Sequence, residues 1–153
     1  MGDTFLSIDT NTKIRKTRTS GEPINLWRIK MNFKQAAQPH VTNKLNQAHK
    51  FFASKDDEKG FMALEDAHVT GQHSTYYHTL VHYKMLMYGL KSGDLKEVPG
   101  QVFRLIGAIT KTAVGLVPEG NTGGTNVSPF KLMPISPENT AILEKINHAR
   151  SQS

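Results

Sequence analysis

Four residues, "GQHS" at Gly71–Ser74, separate two stretches whose apolar residues repeat at helical spacing. So short a connection leaves two successive helices one arrangement, folded back on each other as antiparallel neighbours. The upstream stretch, about Asp57 to Thr70, carries Phe61, Leu64, Ala67 and His68 on one face and stops at Gly71, a residue suited to a helix end. The downstream stretch begins at the N-cap candidate Ser74 and runs to about Lys91, before Gly93. A helical hairpin is therefore the element around which the rest of the chain must pack.

The flanking segments extend the same pattern. From about Val41, "VTNKLNQAHKFFAS" puts Leu45, Ala48, Phe51 and Phe52 on one helical face, and "KDDEKG" breaks it while supplying acidic cap residues for the next helix. Asp94 and Glu97 form a D-x-x-E capping pattern for a fourth helix with the apolar set Val98, Val102, Leu105, Ile106 and Ile109, although Pro99 shifts its onset. After Ala113, "VGLVPEGNTGGTNVSPFKLMPISPENT" is dense in Gly, Pro, Asn and Ser and reads as an ordered, irregular excursion. Ser136 as cap and Pro137 at the first helical position then restart a helix to about Arg150. No segment alternates as a strand would. The expected fold is all-α: a compact bundle of about five helices, two antiparallel hairpins plus a C-terminal helix, with one long Gly/Pro-rich loop. Residues 31–150 are expected to form a single helical domain, and residues 1–30 an irregular basic extension.

Composition excludes several functions. The 153 residues contain no cysteine, which rules out disulfides, thiolate metal sites and cysteine nucleophiles. No apolar run approaches the ~20 residues of a membrane span, and "MGDTFLSIDTNTK" has neither a signal peptide's basic start and apolar run nor the Ser or Thr of a myristoylation site, since Leu6 stands there. The expected address is cytoplasmic. The formal charge is +6, and residues 1–39 hold seven Lys/Arg against three Asp/Glu. The run "KIRKTRTSG" could neutralise phosphates, but only Trp27 and Phe33 flank it. With no aromatic platform for bases, a solvated tail is the better reading and nucleic acid is not an expected partner.

Chemistry concentrates in the hairpin. Glu65 and His68 lie three apart on one face of the second helix, and His78 and His82 lie four apart on one face of the third. Counted from the turn, His68 and His78 stand at one level. Glu65 lies about 4.5 Å and His82 about 6 Å further on, at 1.5 Å per residue. Helix axes about 8–10 Å apart allow all four side chains to converge on one ion. Three nitrogens and a carboxylate suit a borderline divalent transition metal: Zn, Fe, Mn or Cu. The pattern is not H-E-x-x-H, because Thr79 stands where a zinc peptidase carries its general base, so peptidase chemistry is disfavoured. With all four residues bound the site would be closed and structural. With two histidines and one carboxylate it would keep open positions, as in a small mononuclear non-haem metalloenzyme acting on a small-molecule substrate.

Each of these residues also has a bland role open to it: His68 at a helix end, His78 and His82 bonded within the bundle, Glu65 solvated at the surface. Gln101 and Arg104, three apart in an otherwise apolar helix, could orient a ligand from behind it or hold a substrate carboxylate. They could equally tie the long loop to the bundle. "PEGNTGGTN" lacks the G-K-[ST] ending of a nucleotide loop and reads as a lid or cover. The alternative to a metal protein is a tetratricopeptide-like module that binds a protein partner and has no catalytic activity, although no 34-residue repeat is present.

The segments "LEDAHVTGQ", "HTLVHYKML", "EVPGQVFRLIGA" and "VPEGNTGGTNVSPFKLMPI" together resemble a family of small bacterial proteins known as domain of unknown function 3703. The resemblance covers about Met31 to Leu143 and rests on Glu65, His68, Gly71, Gln72, His78, His82, Gln101, Arg104, Pro118, Gly120, Asn121 and Gly123. Pro99 departs from the pattern. The resemblance implies a compact fold and carries no activity with it.

Overall fold

The computed structural model describes residues 31–93, 97–113 and 117–153. Five helices follow in order: α1 (Phe33–Ala53), α2 (Asp57–Gly71), α3 (Thr75–Ser92), α4 (Glu97–Ala113) and α5 (Pro137–Gln152). There is no strand among the described residues. α1 packs on α2 and α3 on α4, while α5 lies across α1 and α2. This is the all-α arrangement of two hairpins and a C-terminal helix that the periodicity predicts. No helix among the described residues is long and apolar enough to cross a membrane. The basic segment 1–30 and the expected cap at Asp94 lie outside the described residues.

Local chemistry explains the boundaries. α1 begins at Phe33 rather than near Val41, because Asn32 and Gln35 form a reciprocal capping box. Pro39 is accommodated inside the helix, where it forgoes one backbone bond, and Ala36 and Ala37 behind it are buried. Asp56, Ser74 and Ser136 cap α2, α3 and α5 through their side chains. α3 ends on Gly93 at φ 73°, the left-handed conformation that glycine adopts without a Cβ clash.

The core is small-residue rich. Ala36, Ala37, Val41, Ala48, Ala63, Leu64 and Ala67 line the α1–α2 seam, and Tyr77, Val81, Met85 and Ile146 complete it. Alanines let the helix axes approach closely. That approach brings the polar residues on the next face of α2, His68 among them, up against α3 instead of solvent.

α4 is inverted. Its apolar set does not form its buried face: Val102, Ile106 and Ile109 are exposed, Ile106 at 62%, as is Phe103. The buried stripe is Glu97, Gln101, Arg104 and Ala108, spaced four, three and four apart, with Gln101 fully enclosed. A helix turns polar groups inward only where they find partners there. Those partners are the His82 imidazole on α3 and, in the loop before α5, the carbonyls of Gly123 and Val127 and the Thr125 hydroxyl.

Candidate metal centre

His68 comes from the last turns of α2, and His78 and His82 from successive turns of α3. All three are buried, and one ligand nitrogen from each lies within 4.8 Å of the others. The rings meet edge-on or tilted, with centroids 4.6–4.9 Å apart. The Nε2 atoms of His68 and His82 face each other at 3.1 Å.

The partners of the other ring nitrogens fix the tautomers. His68 Nδ1 lies 2.8 Å from the carbonyl oxygen of Asn121, which can only accept, so Nδ1–H donates. His82 Nδ1 lies 2.7 Å from Gln101 Oε1. The Gln101 amide cannot be flipped, because its nitrogen donates to Glu97 Oε1 at 2.6 Å and to the Gly123 carbonyl at 2.9 Å. Nδ1–H of His82 is therefore also a donor. Both rings, when neutral, direct Nε2 lone pairs at one another.

Burial keeps them neutral. His68 is held well below the ordinary histidine value, first by burial and then by His82 and His78. Burial, with His82, His73 and Arg104, lowers His78 to about 3, and burial lowers His82 to about 4 against the bond to Gln101. Two facing lone pairs without a proton between them repel unless a cation joins them. Two nitrogens bound to one ion at about 2.1 Å would stand roughly 3.0–3.4 Å apart, which matches the observed separation. The donor set fits a borderline divalent metal.

Glu65 stands outside this cluster. Although it lies one turn from His68, its carboxylate sits under the loop, where a Cβ on Gly124 would come within 2.9 Å of Oε1. Burial raises its pKa, a hydrogen bond with Thr122 opposes the rise, and the charges of Asp66 and Glu97 add to it. His73 is exposed in the turn and edge-on to Phe33.

Gln101 stands behind the His82 ring and accepts from its Nδ1–H. Arg104 does not touch a histidine nitrogen through any hydrogen bond; it donates to the Val127 carbonyl and lines the cavity over the cluster. Two contributors escape a reading of residue types. Glu97, legible only as a helix cap, anchors Gln101 and accepts from Thr125 Oγ1. Asn121 acts through its backbone carbonyl while its side chain knots the loop, donating to the Ser128 and Lys131 carbonyls and accepting from Gly123 N. The spacing of Glu97 four residues before Gln101, on the same helical face, is the signal that could have found it. Gly123 must be glycine: it sits at φ 84°, and a Cβ there would meet the His68 ring at 2.8 Å.

A cavity of about 210 Å³ opens on the three imidazoles, walled by Phe103, Ile106, Ala108, Val117, Pro118 and Pro129. Three buried imidazoles with space beyond them define a class, that of helical proteins with a histidine cluster that could hold a metal ion. The chain belongs to the family described as protein of unknown function DUF3703, whose model matches residues 35–143 and so includes all three histidines, Gln101 and Arg104. No curated protein and no solved structure matches it.

Proposed function

We propose that the protein binds one divalent transition metal ion through His68, His78 and His82, with the chemistry of a small mononuclear metalloenzyme. The observation that carries this is the pair of Nε2 lone pairs facing each other at 3.1 Å, each tautomer held by an acceptor behind the ring. Metal-binding imidazoles characteristically donate their other N–H to a carbonyl or carboxylate, directly or through an intermediary, and both of these do. Gln101 links His82 to Glu97, so negative charge is relayed to the ring without placing a carboxylate on the ion. Bound there, the ion would polarise a ligand or acidify a water. The protein's own part is to keep the imidazoles neutral and oriented, and to exclude solvent with the Asn121–Gly124 loop.

Three imidazole ligands leave at least one position facing the cavity, the feature that separates catalytic from structural sites. Glu65 enters this reading as a neighbouring carboxylate rather than a ligand. A helical interaction module has the exposed apolar stripe of α4 in its favour. It leaves a buried, mutually repulsive imidazole pair without a purpose, and the metal reading is preferred.

The test is elemental analysis of protein purified without an affinity tag, then reloaded after chelation with Zn, Fe(II), Mn or Cu. One ion per chain is expected, and His68→Ala or His82→Ala should lower affinity by more than about 100-fold. Failure of every metal to bind the wild-type chain above the level of those variants would end the proposal.

A further inference from the structure

Arg104 is only 7% exposed, yet no carboxylate lies within 4.0 Å of its guanidinium among the described residues. Its hydrogen bond is to a neutral acceptor, the Val127 carbonyl. Glu97 is near enough to act on it through space, but both Glu97 oxygens are engaged, one by Gln101 and the other by Thr125. A guanidinium carries five N–H donors in a planar fork, and Arg104 lines the cavity beside the imidazoles. Glu97 compensates the charge only from a distance, and a buried guanidinium with no carboxylate in contact is better compensated when an anion meets it directly.

The cavity narrows the identity of that anion. Apart from Arg104, the histidines, Thr110 and Asn121, whose side chain is bonded within its own loop, the walls are mostly carbon, with Phe103, Ile106, Val117 and Pro118 among them. At ~30 Å³ per water-sized group, 210 Å³ holds roughly seven non-hydrogen atoms. A fully hydrated dianion such as phosphate would find one cation and much apolar surface there. A carboxylate with a short hydrocarbon chain matches both ends, since guanidinium and carboxylate pair side by side. We infer that the cavity takes a small aliphatic monocarboxylate, its charged end on Arg104 and its chain between α4 and the loop. As an assignment of substrate class this rests on the metal-site reading; as binding it stands on Arg104 and the cavity walls alone.

Butyrate is the probe, with n-butanol as its uncharged counterpart and inorganic phosphate as an anion without a chain. Binding to metal-free full-length protein is followed by ligand-observed NMR titration. Butyrate should saturate while butanol and phosphate bind at least about tenfold more weakly, and Arg104→Gln should weaken butyrate by about tenfold or more. Because Arg104→Gln could disturb the loop, Gly107→Leu provides a second arm. A Cβ at Gly107 meets nothing within 4 Å and Gly107 lines the cavity, so leucine there is expected to narrow the cavity without a clash at the helix and to weaken butyrate binding. Equal binding of butanol and butyrate, preferential binding of phosphate, or butyrate affinity unmoved by both variants overturns the inference. If no metal binds but butyrate still depends on Arg104, the metal reading fails and this one holds. If butyrate binds only the metal-loaded protein and ignores Arg104→Gln, the metal reading stands and this one falls.

Discussion

Among the described residues two cationic side chains, Lys44 and Arg104, are buried, and they are held in opposite ways. Lys44, on α1, is 3% exposed and lies 2.9 Å from Asp66 on α2 and 2.6 Å from Glu138 on α5. Asn139 completes the group by donating to the other oxygen of Asp66 at 2.7 Å. Burial opposes the charge on Lys44, and its bonds to Glu138 and Asp66 outweigh that and raise its pKa. On the other side of the bundle, Arg104 faces three neutral imidazoles and no carboxylate ion pair. The first arrangement is complete as it stands and welds three helices. The second has a backbone carbonyl as its hydrogen-bond partner, no carboxylate in contact, and an open cavity beside it.

Acidity separates the two regions most strongly. A histidine whose folded pKa is depressed binds its proton later in the folded state than in the unfolded chain, so stability is full above about 6.5 and falls as pH drops. The loss proceeds until the folded state also protonates, near 4 for His82 and near 3 for His78. For metal-free protein the expected loss between pH 7 and 4 is on the order of 5 kcal/mol, at ~1.4 kcal/mol per unit of displacement. Lys44 behaves inversely: its contribution is complete below the ordinary lysine value and is lost only as pH rises past its raised pKa. Urea unfolding measured from pH 4 to 7 checks this. A stability that stays level across that range would show that the imidazoles are not held neutral.

Next in size is the difference between breaking a completed pair and removing an uncompleted one. Asp66→Ala leaves Lys44 with Glu138 alone and takes the acceptor from the Asn139 amide, and should cost about 1–3 kcal/mol in urea unfolding. Arg104→Met removes a buried cation that has no ion-pair partner, and should change stability by less than about 1 kcal/mol in either direction. Similar losses for the two variants would erase the distinction between the regions.

A smaller effect tests how the imidazoles are oriented. Gln101→Leu keeps the volume near His82 but removes the acceptor that holds Nδ1–H and the link to Glu97. Metal affinity should fall by about 10–100-fold, with the helical signature in circular dichroism preserved. An unchanged affinity would mean that His82 needs no partner behind it.

The α2–α3 hairpin was legible because 3.6-residue periodicity and a four-residue turn leave little freedom, and His68, His78 and His82 follow from it. What lay beyond reach was direction. Nothing in the order of residues says that Glu65, one turn from His68, turns toward Gly124, because that depends on where a loop some sixty positions later comes to rest. The inverted α4 misleads for a related reason: its apolar stripe is stronger than its polar one, yet Glu97, Gln101 and Arg104 find imidazole and carbonyl partners only in the folded state. The early start of α1 is hidden by Pro39, which reads as a break until the Asn32–Gln35 cap is seen. Asn121 contributes a backbone carbonyl to His68, and backbone groups leave no mark in composition.

Glu65 provides the smallest expected effect and the sharpest test of which groups belong to the site. In the hairpin geometry alone it is as good a ligand as His68, whereas in the folded protein its carboxylate is held under the loop, and burial drives it toward the protonated form. Glu65→Gln preserves shape and hydrogen bonding while removing the charge. If Glu65 only neighbours the site, metal affinity at pH 7 should change by less than about threefold, because no ligand is then lost. A carboxylate ligand exchanged for an amide would instead weaken binding by about 100-fold or more, and the loop would have to move for that ligand to reach the ion. Measuring Zn affinity for Glu65→Gln beside His78→Ala therefore separates a centre of three histidines from one in which a glutamate is the fourth ligand, with loss in both variants favouring the four-ligand site.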